Sequence, residues 1–412
     1  MDFFRGIGMY IIFVAHMNWS PFFWWIPARF GFSDATEIFV FCSGMASAIA
    51  FAKVFDSHGM LIGAARVAHR TWQVYWSHIL LFFTITTMLA AIDASSLGAR
   101  DYTNILNLDA FINDAANLLP ALFTLTYVPN YFDILPMYIG ILIMLPIVMG
   151  LSKISPALAG VFVVGLWLSA QFFAINLPAE PWSERKWFFN PFAWQLVFFT
   201  GFALMRGWIP APPVDRRLVI GCIVFLLVSL PFAYFPIYNA KPDNETLQSL
   251  VALFKATREE YKPLINKTNF GLLRYLHFLS LAYVSWVAVG EGGKRLLASG
   301  LWGMLVKAIQ KVGQQSLAVF LSSMVLAQLF SVLRDQTTPP PEAPMLLNLY
   351  YILGAFVLLT IIAYVVGWFK STPWKKPSKT ALAGGPGRHE ITAKSDSGDR
   401  STKRHGALSP AE

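Results

Sequence analysis

Apolar residues in this chain come in long blocks, and polar residues gather in short runs between them. A block of about 20 apolar residues is long enough to cross a bilayer as a helix. Ten such stretches stand out, at 7–26, 35–55, 72–92, 132–151, 156–177, 188–205, 218–235, 271–290, 312–330 and 346–369. The pattern predicts an all-α fold, a polytopic transmembrane helical bundle of ten spans. LLPALFTLTYV (118–128) is too short to span and is expected to lie in the interface or to re-enter. AARVAHR (64–70) and LWGMLVKAIQK (301–311) read as amphipathic surface helices at membrane edges.

Composition strengthens this picture. Of 412 residues, 56% are hydrophobic and only 13% charged, which argues against a soluble chain. Many of the fourteen tryptophans stand near span ends, as interfacial anchors do. The net charge of +9 does not call for nucleic acid, because much of it lies in the tail. From Lys370 onward there are nine Lys or Arg against four acidic residues, a balance suited to an anionic cytoplasmic leaflet. The chain therefore divides into a membrane domain, 1–370, and a basic cytoplasmic tail, 371–412, too polar to offset its ordering entropy. Cys42 and Cys222 both fall inside apolar spans, with no disulfide framework and no zinc-ligand spacing. The first span lacks a small-residue cleavage site and reads as a retained helix.

Ten spans put both termini on one side. With that side cytoplasmic, the inner loops hold eleven basic residues before the tail is counted, and the short outer loops hold five. The positive-inside rule thus places both termini in the cytoplasm.

Chemistry concentrates where lipid tolerates it least. Arg5 and His16 lie in the first span, and Asp34 and Glu37 open the second. Intramembrane ionisable groups cost several kcal/mol unless paired or hydrated, so they mark functional sites. Eleven residues at ~100° each bring Arg5 and His16 onto one helical face, about 16 Å apart along the axis. Arg5 then falls near the cytoplasm and His16 in the outer half, where the second span begins. His16 and Glu37 are expected to meet there, the carboxylate orienting the imidazole as a general base with Asp34 assisting. The bland alternative is a His–Glu pair that only joins two helices. On the inner side, Arg66 and Arg70 are four apart and project from one face, followed by Tyr75 and His78. With Arg5 they form a cationic vestibule suited to a polyphosphorylated donor such as a coenzyme A thioester; simple anchoring explains the same charges. In the outer half, Asn190 and Gln195 stand among aromatics, and Arg274 and His277 are three apart. Aromatic faces beside amide and Arg donors suit a sugar, though interfacial aromatics also serve as anchors.

In order, DFFRG…H, FGFSDATEIFVFCSG, R…Y-x-x-H, FNPFAWQLVFFTG, RYLHFLSLAY and VGQQSLAVF resemble the OpgC proteins, within the clan of integral-membrane acyltransferases (acyltransferase type 3). The likeness covers roughly residues 1–370. It departs in beginning almost at Asp2-Phe3 and in having His69-Arg70 where many clan members have two arginines. The resemblance implies succinyl transfer from cytoplasmic acyl-CoA to periplasmic glucans, in the bacterial inner membrane. It implies a catalytic role for His16 and donor binding for Arg5, Arg66 and Arg70.

The combined expectation is an O-acyltransferase with His16, Glu37 and Asp34 as catalytic residues. The donor, acyl-CoA, is held by Arg5, Arg66, Arg70, Tyr75 and His78, and the glucan by Asn190, Gln195, Arg274 and His277. His78, Arg274 and His277 also stand as candidates for oxyanion stabilisation. No metal and no permanently bound cofactor is expected; the partners are acyl-CoA, glucan and the bilayer. Direct transfer and an acyl-enzyme both fit. Rival readings are acetyl transfer to another envelope polysaccharide, and a proton-coupled transporter or flippase using the same charges.

Overall fold

The computed structural model describes residues 1–17, 20–95, 100–297, 299–337 and 345–374. It divides into one unit, Met1–Gly367, and a second from Trp368 onward, of which only residues 368–374 are described. The predicted tail beyond residue 374 lies outside the described residues.

The fold is helical throughout. Among the described residues there is no β-strand, only an isolated antiparallel bridge between Pro178 and Lys186. The first helices are α1 (Asp2–Ala15), α2 (Ala35–Ser47), which runs on through a π-helical stretch, and α3 (Lys53–Ala94). Three short helices follow, α4 (Tyr102–Ile105), α5 (Asp109–Asn113) and α6 (Ala115–Phe123). Next come α7 (Ile134–Ile154), α8 (Pro156–Phe172), α9 (Pro191–Arg206) and α10 (Arg216–Ala233). A loop region carries α11 (Phe235–Tyr238), α12 (Glu245–Glu260) and α13 (Lys262–Ile265). The last are α14 (Leu272–Val289), α15 (Gly300–Gln314), α16 (Ser316–Thr337) and α17 (Met345–Lys370).

A helix occupies each of the ten predicted apolar stretches. Six helical stretches among the described residues are long and apolar enough to cross a membrane: Ala35–Ala94, Ile134–Ile154, Arg216–Ala233, Leu272–Val289, Ser316–Thr337 and Met345–Lys370. The first of these bends sharply at Gly59, whose φ of 82° is open to glycine and strained for other residues. Gly63 then lies against the Phe55 ring.

The core sits where α2, α7, α8 and α9 pack together, around fully buried Trp194, Phe198 and Phe202. Glycine makes the closest of these contacts. Gly44 of α2 abuts the Phe198 carbonyl, and Gly201 of α9 abuts the Phe41 carbonyl, so a Cβ at either would strike backbone. Such small residues let apolar helices approach closely where no hydrophobic effect drives them together.

One predicted element changes, and another gains a packing partner. The basic piece 64–70 is not a separate surface helix but part of α3, which continues unbroken to Ala94. Met60 approaches Gly150 near the end of α7, and the His78 and Phe82 rings meet Phe132 just before its start. Helix α3 thus runs beside α7 from the Met60–Gly150 contact to the contact of His78 with Phe132. Beyond it, Phe82 and Phe83 pack under Phe111 and Tyr127 of the α4–α6 region. The piece 301–311 forms most of a separate helix, α15, with Leu301, Met304 and Leu305 exposed on one side, and its Gly313 is pressed against Asp2 and Gly6 of α1.

Candidate functional site

One cavity of about 720 Å³ opens where α1 ends and where α2, α7 and α9 begin. Its wall carries His16, Asp34, Tyr131, Asp133, Lys267 and Thr268, with Arg29, Arg185 and Phe188 among the residues around them.

His16 caps the C-terminal end of α1. Its Nδ1 lies 2.7 Å from the Ile12 carbonyl. A carbonyl can only accept, so Nδ1 carries the proton and Nε2 keeps the lone pair in the neutral ring. A half-buried imidazole in that tautomer, on a cavity wall, is equipped to take a proton from a bound hydroxyl.

The expected His16–Glu37 pair does not form. Helix α1 ends at Ala15, where the sequence had suggested a span to residue 26. Ser20 then caps a 3-10 turn over Pro21–Trp25, and a second turn covers Pro27–Arg29. The second helix consequently starts level with the middle of the first: Gly8 lies against Ala35 and Ile38. Eight residues of helix, about 12 Å, separate that level from His16. Glu37 is instead fully buried and accepts from Arg274 Nη1 at 2.6 Å and from the Asp34 backbone N–H at 2.8 Å. Asp34 completes this capping box by accepting from the Glu37 N–H; it also accepts from Thr36 N–H, and its other oxygen accepts from Lys267 Nζ. Four charges thus run in series: Lys267, Asp34, Glu37, Arg274. Only Lys267 and Asp34 reach the cavity.

The aromatic block opening α9 acts at one remove. Asn190 is fully buried; its amide donates to the Ile175 carbonyl at 2.7 Å and to Asn269 at 3.1 Å, and its Oδ1 caps the helix through Phe192 N–H. Gln195 is also fully buried, donating to Val163 O at 2.7 Å. Neither lines the cavity. The Asn190 N–H donates to Thr268 O at 3.2 Å, and the Trp194 indole donates to Lys267 O at 2.9 Å. Together they hold the 266–270 loop that brings Lys267 and Thr268 to the wall. Arg274 is committed to Glu37, and His277 Nδ1 pairs with Ser33 Oγ at 2.7 Å.

The donor set disperses. Arg5 is buried and donates to the Cys42 carbonyl at 2.7 Å, with Gly313 O at 3.4 Å, so its guanidinium joins α1 to α2 and α15 rather than facing a vestibule. Tyr75 donates to the Phe123 carbonyl at 2.8 Å, and His78 is sealed against Phe132 with neither ring nitrogen hydrogen-bonded. Tyr75 thus sits at the end of α6 and His78 just before the start of α7. Arg66 and Arg70 lie four apart on the open face of α3, without Arg5 beside them. Arg70 donates to Gln73 at 3.2 Å, and Gln73 donates to His69 Nε2 at 3.1 Å.

A family model described as OpgC protein matches residues 1–371. The chain belongs to the OpgC family. Membership implies a transferase, and the apolar helices make this OpgC-family chain a membrane protein. Neither a curated protein nor a solved structure matches it.

Lys267, Thr268, Tyr131, Asp133, Arg29 and Arg185 joined the site only with the fold. One signal was in the sequence: Asn266-Lys267-Thr268-Asn269 is a polar run directly before the RYLHFLSLAY helix. Arg185 is fixed by Glu180, at 2.8 Å, and by the Val128 carbonyl. Burial pushes the Glu180 carboxyl up, but the Ser183 hydroxyl and Arg185 outweigh it and hold it below its ordinary range. Among the described residues no group of three His, Cys, Asp or Glu side chains is placed to hold a metal ion.

Proposed function

We propose that this protein moves an acyl group, succinyl, from cytoplasmic acyl-CoA to a hydroxyl of a periplasmic glucan. On this reading ten helices cross the bacterial inner membrane with both termini in the cytoplasm, and the cavity opens to the periplasm. The observation that carries the proposal is His16: a ring whose Nδ1 proton is committed to Ile12, on the wall of a basic and aromatic cavity, in an OpgC-family chain.

In the proposed reaction His16 Nε2 takes the proton of the glucan hydroxyl as its oxygen attacks the thioester carbonyl. The tetrahedral oxyanion is met by the Lys267 ammonium, which Asp34 holds in place. The C–S bond then breaks, and the thiolate leaves with the proton from His16. The products are an ester on the glucan and free coenzyme A. An acyl-histidine intermediate would use the same ring.

Arg66 and Arg70 are the proposed donor-phosphate ligands. They lie on the open face of α3, between its Met60 contact with α7 and its His78 contact with Phe132. Two guanidinium groups on one open helix face suit a phosphate, which they bind in bidentate fashion.

The test is direct. Purified protein, succinyl-CoA and a soluble β-glucan should release free thiol and add the succinyl mass to the glucan. Thiol release without glucan modification, or neither, contradicts the proposal.

A further inference from the structure

Tyr131 carries a conformation that its residue type does not favour. Its φ is 71°, in the left-handed region where a Cβ is crowded and glycine is at ease. Strained residues persist where their surroundings hold them, and they gather at functional sites. Here the holding groups are on both sides. Asn130 N–H donates to Leu106 O at 3.2 Å, Val128 N–H to Ala179 O at 2.8 Å, and Phe132 N–H to Pro129 O at 3.2 Å. Phe132 and Asp133 are buried just beyond.

What the strain presents is an aromatic ring at the reacting group. Tyr131 is 39% exposed and lines the cavity, and its ring lies 5.2 Å from the His16 ring, the two planes meeting at 62° rather than stacking. Phe188, also exposed, shares the wall, and Asn130, Thr268 and Arg185 supply polar groups around them. A pyranose matches such a surface: its C–H face is apolar, and its hydroxyls point outward to donors and acceptors.

We infer that Tyr131 is an acceptor-positioning residue, the platform on which a sugar ring lies so that one hydroxyl faces His16. The inference rests on the glucan-transferase reading and adds to it the residue that places the acceptor.

The experiment uses the full chain in detergent and the variants Tyr131→Phe, Tyr131→Ala and Tyr131→Gly. Three quantities are measured: the KM for a soluble β-glucan oligomer, the KM for succinyl-CoA, and equilibrium binding of the same oligomer without donor. Tyr131→Phe keeps the ring and should keep the glucan KM. Tyr131→Ala and Tyr131→Gly should raise it about tenfold, the equivalent of ~1.4 kcal/mol, and weaken oligomer binding in step, with the succinyl-CoA KM unchanged. Tyr131→Gly relieves the backbone, so its melting temperature should equal or exceed that of the parent. A merely structural tyrosine would show the reverse: lower stability and an unmoved glucan KM. A glucan KM in Tyr131→Gly within twofold of the parent overturns the inference while leaving glucan transfer intact. Oligomer binding that Tyr131→Gly weakens, in a parent that transfers no acyl group, supports the platform and removes the transferase reading.

Discussion

A carboxylate sealed from water persists as an anion only if its charge is answered, and Glu37 shows how this chain does so. Arg274 and the Asp34 N–H take its two oxygens, and Lys267 in turn answers Asp34. Removing one partner of a buried pair leaves the other exposed to its full desolvation cost, about 3–5 kcal/mol. Glu37→Gln should therefore destabilise the protein by roughly that amount, while Glu37→Met combined with Arg274→Met should recover most of the loss. Chemical unfolding in detergent micelles measures both; a double variant less stable than Glu37→Gln would contradict the pairing. Glu37 was legible in the sequence as a group that the membrane would not tolerate idle, and Arg274 as a donor beside aromatic faces. Their pairing was not, because the depth of Glu37 was reckoned from a first helix running to residue 26. Pro21 and Pro27, which open the two 3-10 turns, held the missing information.

At the level of elements, the apolar blocks were informative because length and hydrophobicity alone define a helix fit for a bilayer, and a helix does occupy every one of the ten stretches. What a block pattern does not show is where a helix begins when its first turns carry charge on one face. The polar residues of 64–73 looked like a boundary, yet Arg66, Arg70 and Gln73 fall on the open side of a continuous α3, while Gly63, Val67 and Val74 are buried on the other. That open stripe is where donor phosphates are proposed to bind. Charge-assisted hydrogen bonds are worth about 1.5–3 kcal/mol each, so Arg66→Ala and Arg70→Ala should each raise the succinyl-CoA KM by roughly tenfold or more. The glucan KM should not move. Steady-state kinetics on purified variants decide it, and an unchanged donor KM in the double variant would leave these arginines as anchors alone.

For the molecule as a whole, the site is assembled from ends of helices that are far apart in the chain. His16 closes α1, Asp34 opens α2, Tyr131 and Asp133 precede α7, and Lys267 precedes α14. The first forty residues announced the chemistry because ionisable groups stand out in an apolar run. Lys267 and Tyr131 did not stand out, since a lysine in a mixed loop and a tyrosine near a span end are ordinary in sequence and acquire meaning only from the wall they share. On the proposed reading His16 is the group that moves the proton. The most direct measurement is the rate of succinyl transfer to a soluble glucan by purified His16→Ala, set against the parent at equal folded amount. Loss of a general base costs about 10²–10⁴-fold in rate, and the variant is expected to fall in that range with its melting temperature unchanged. Transfer at the parent rate by a folded His16→Ala protein would contradict the account.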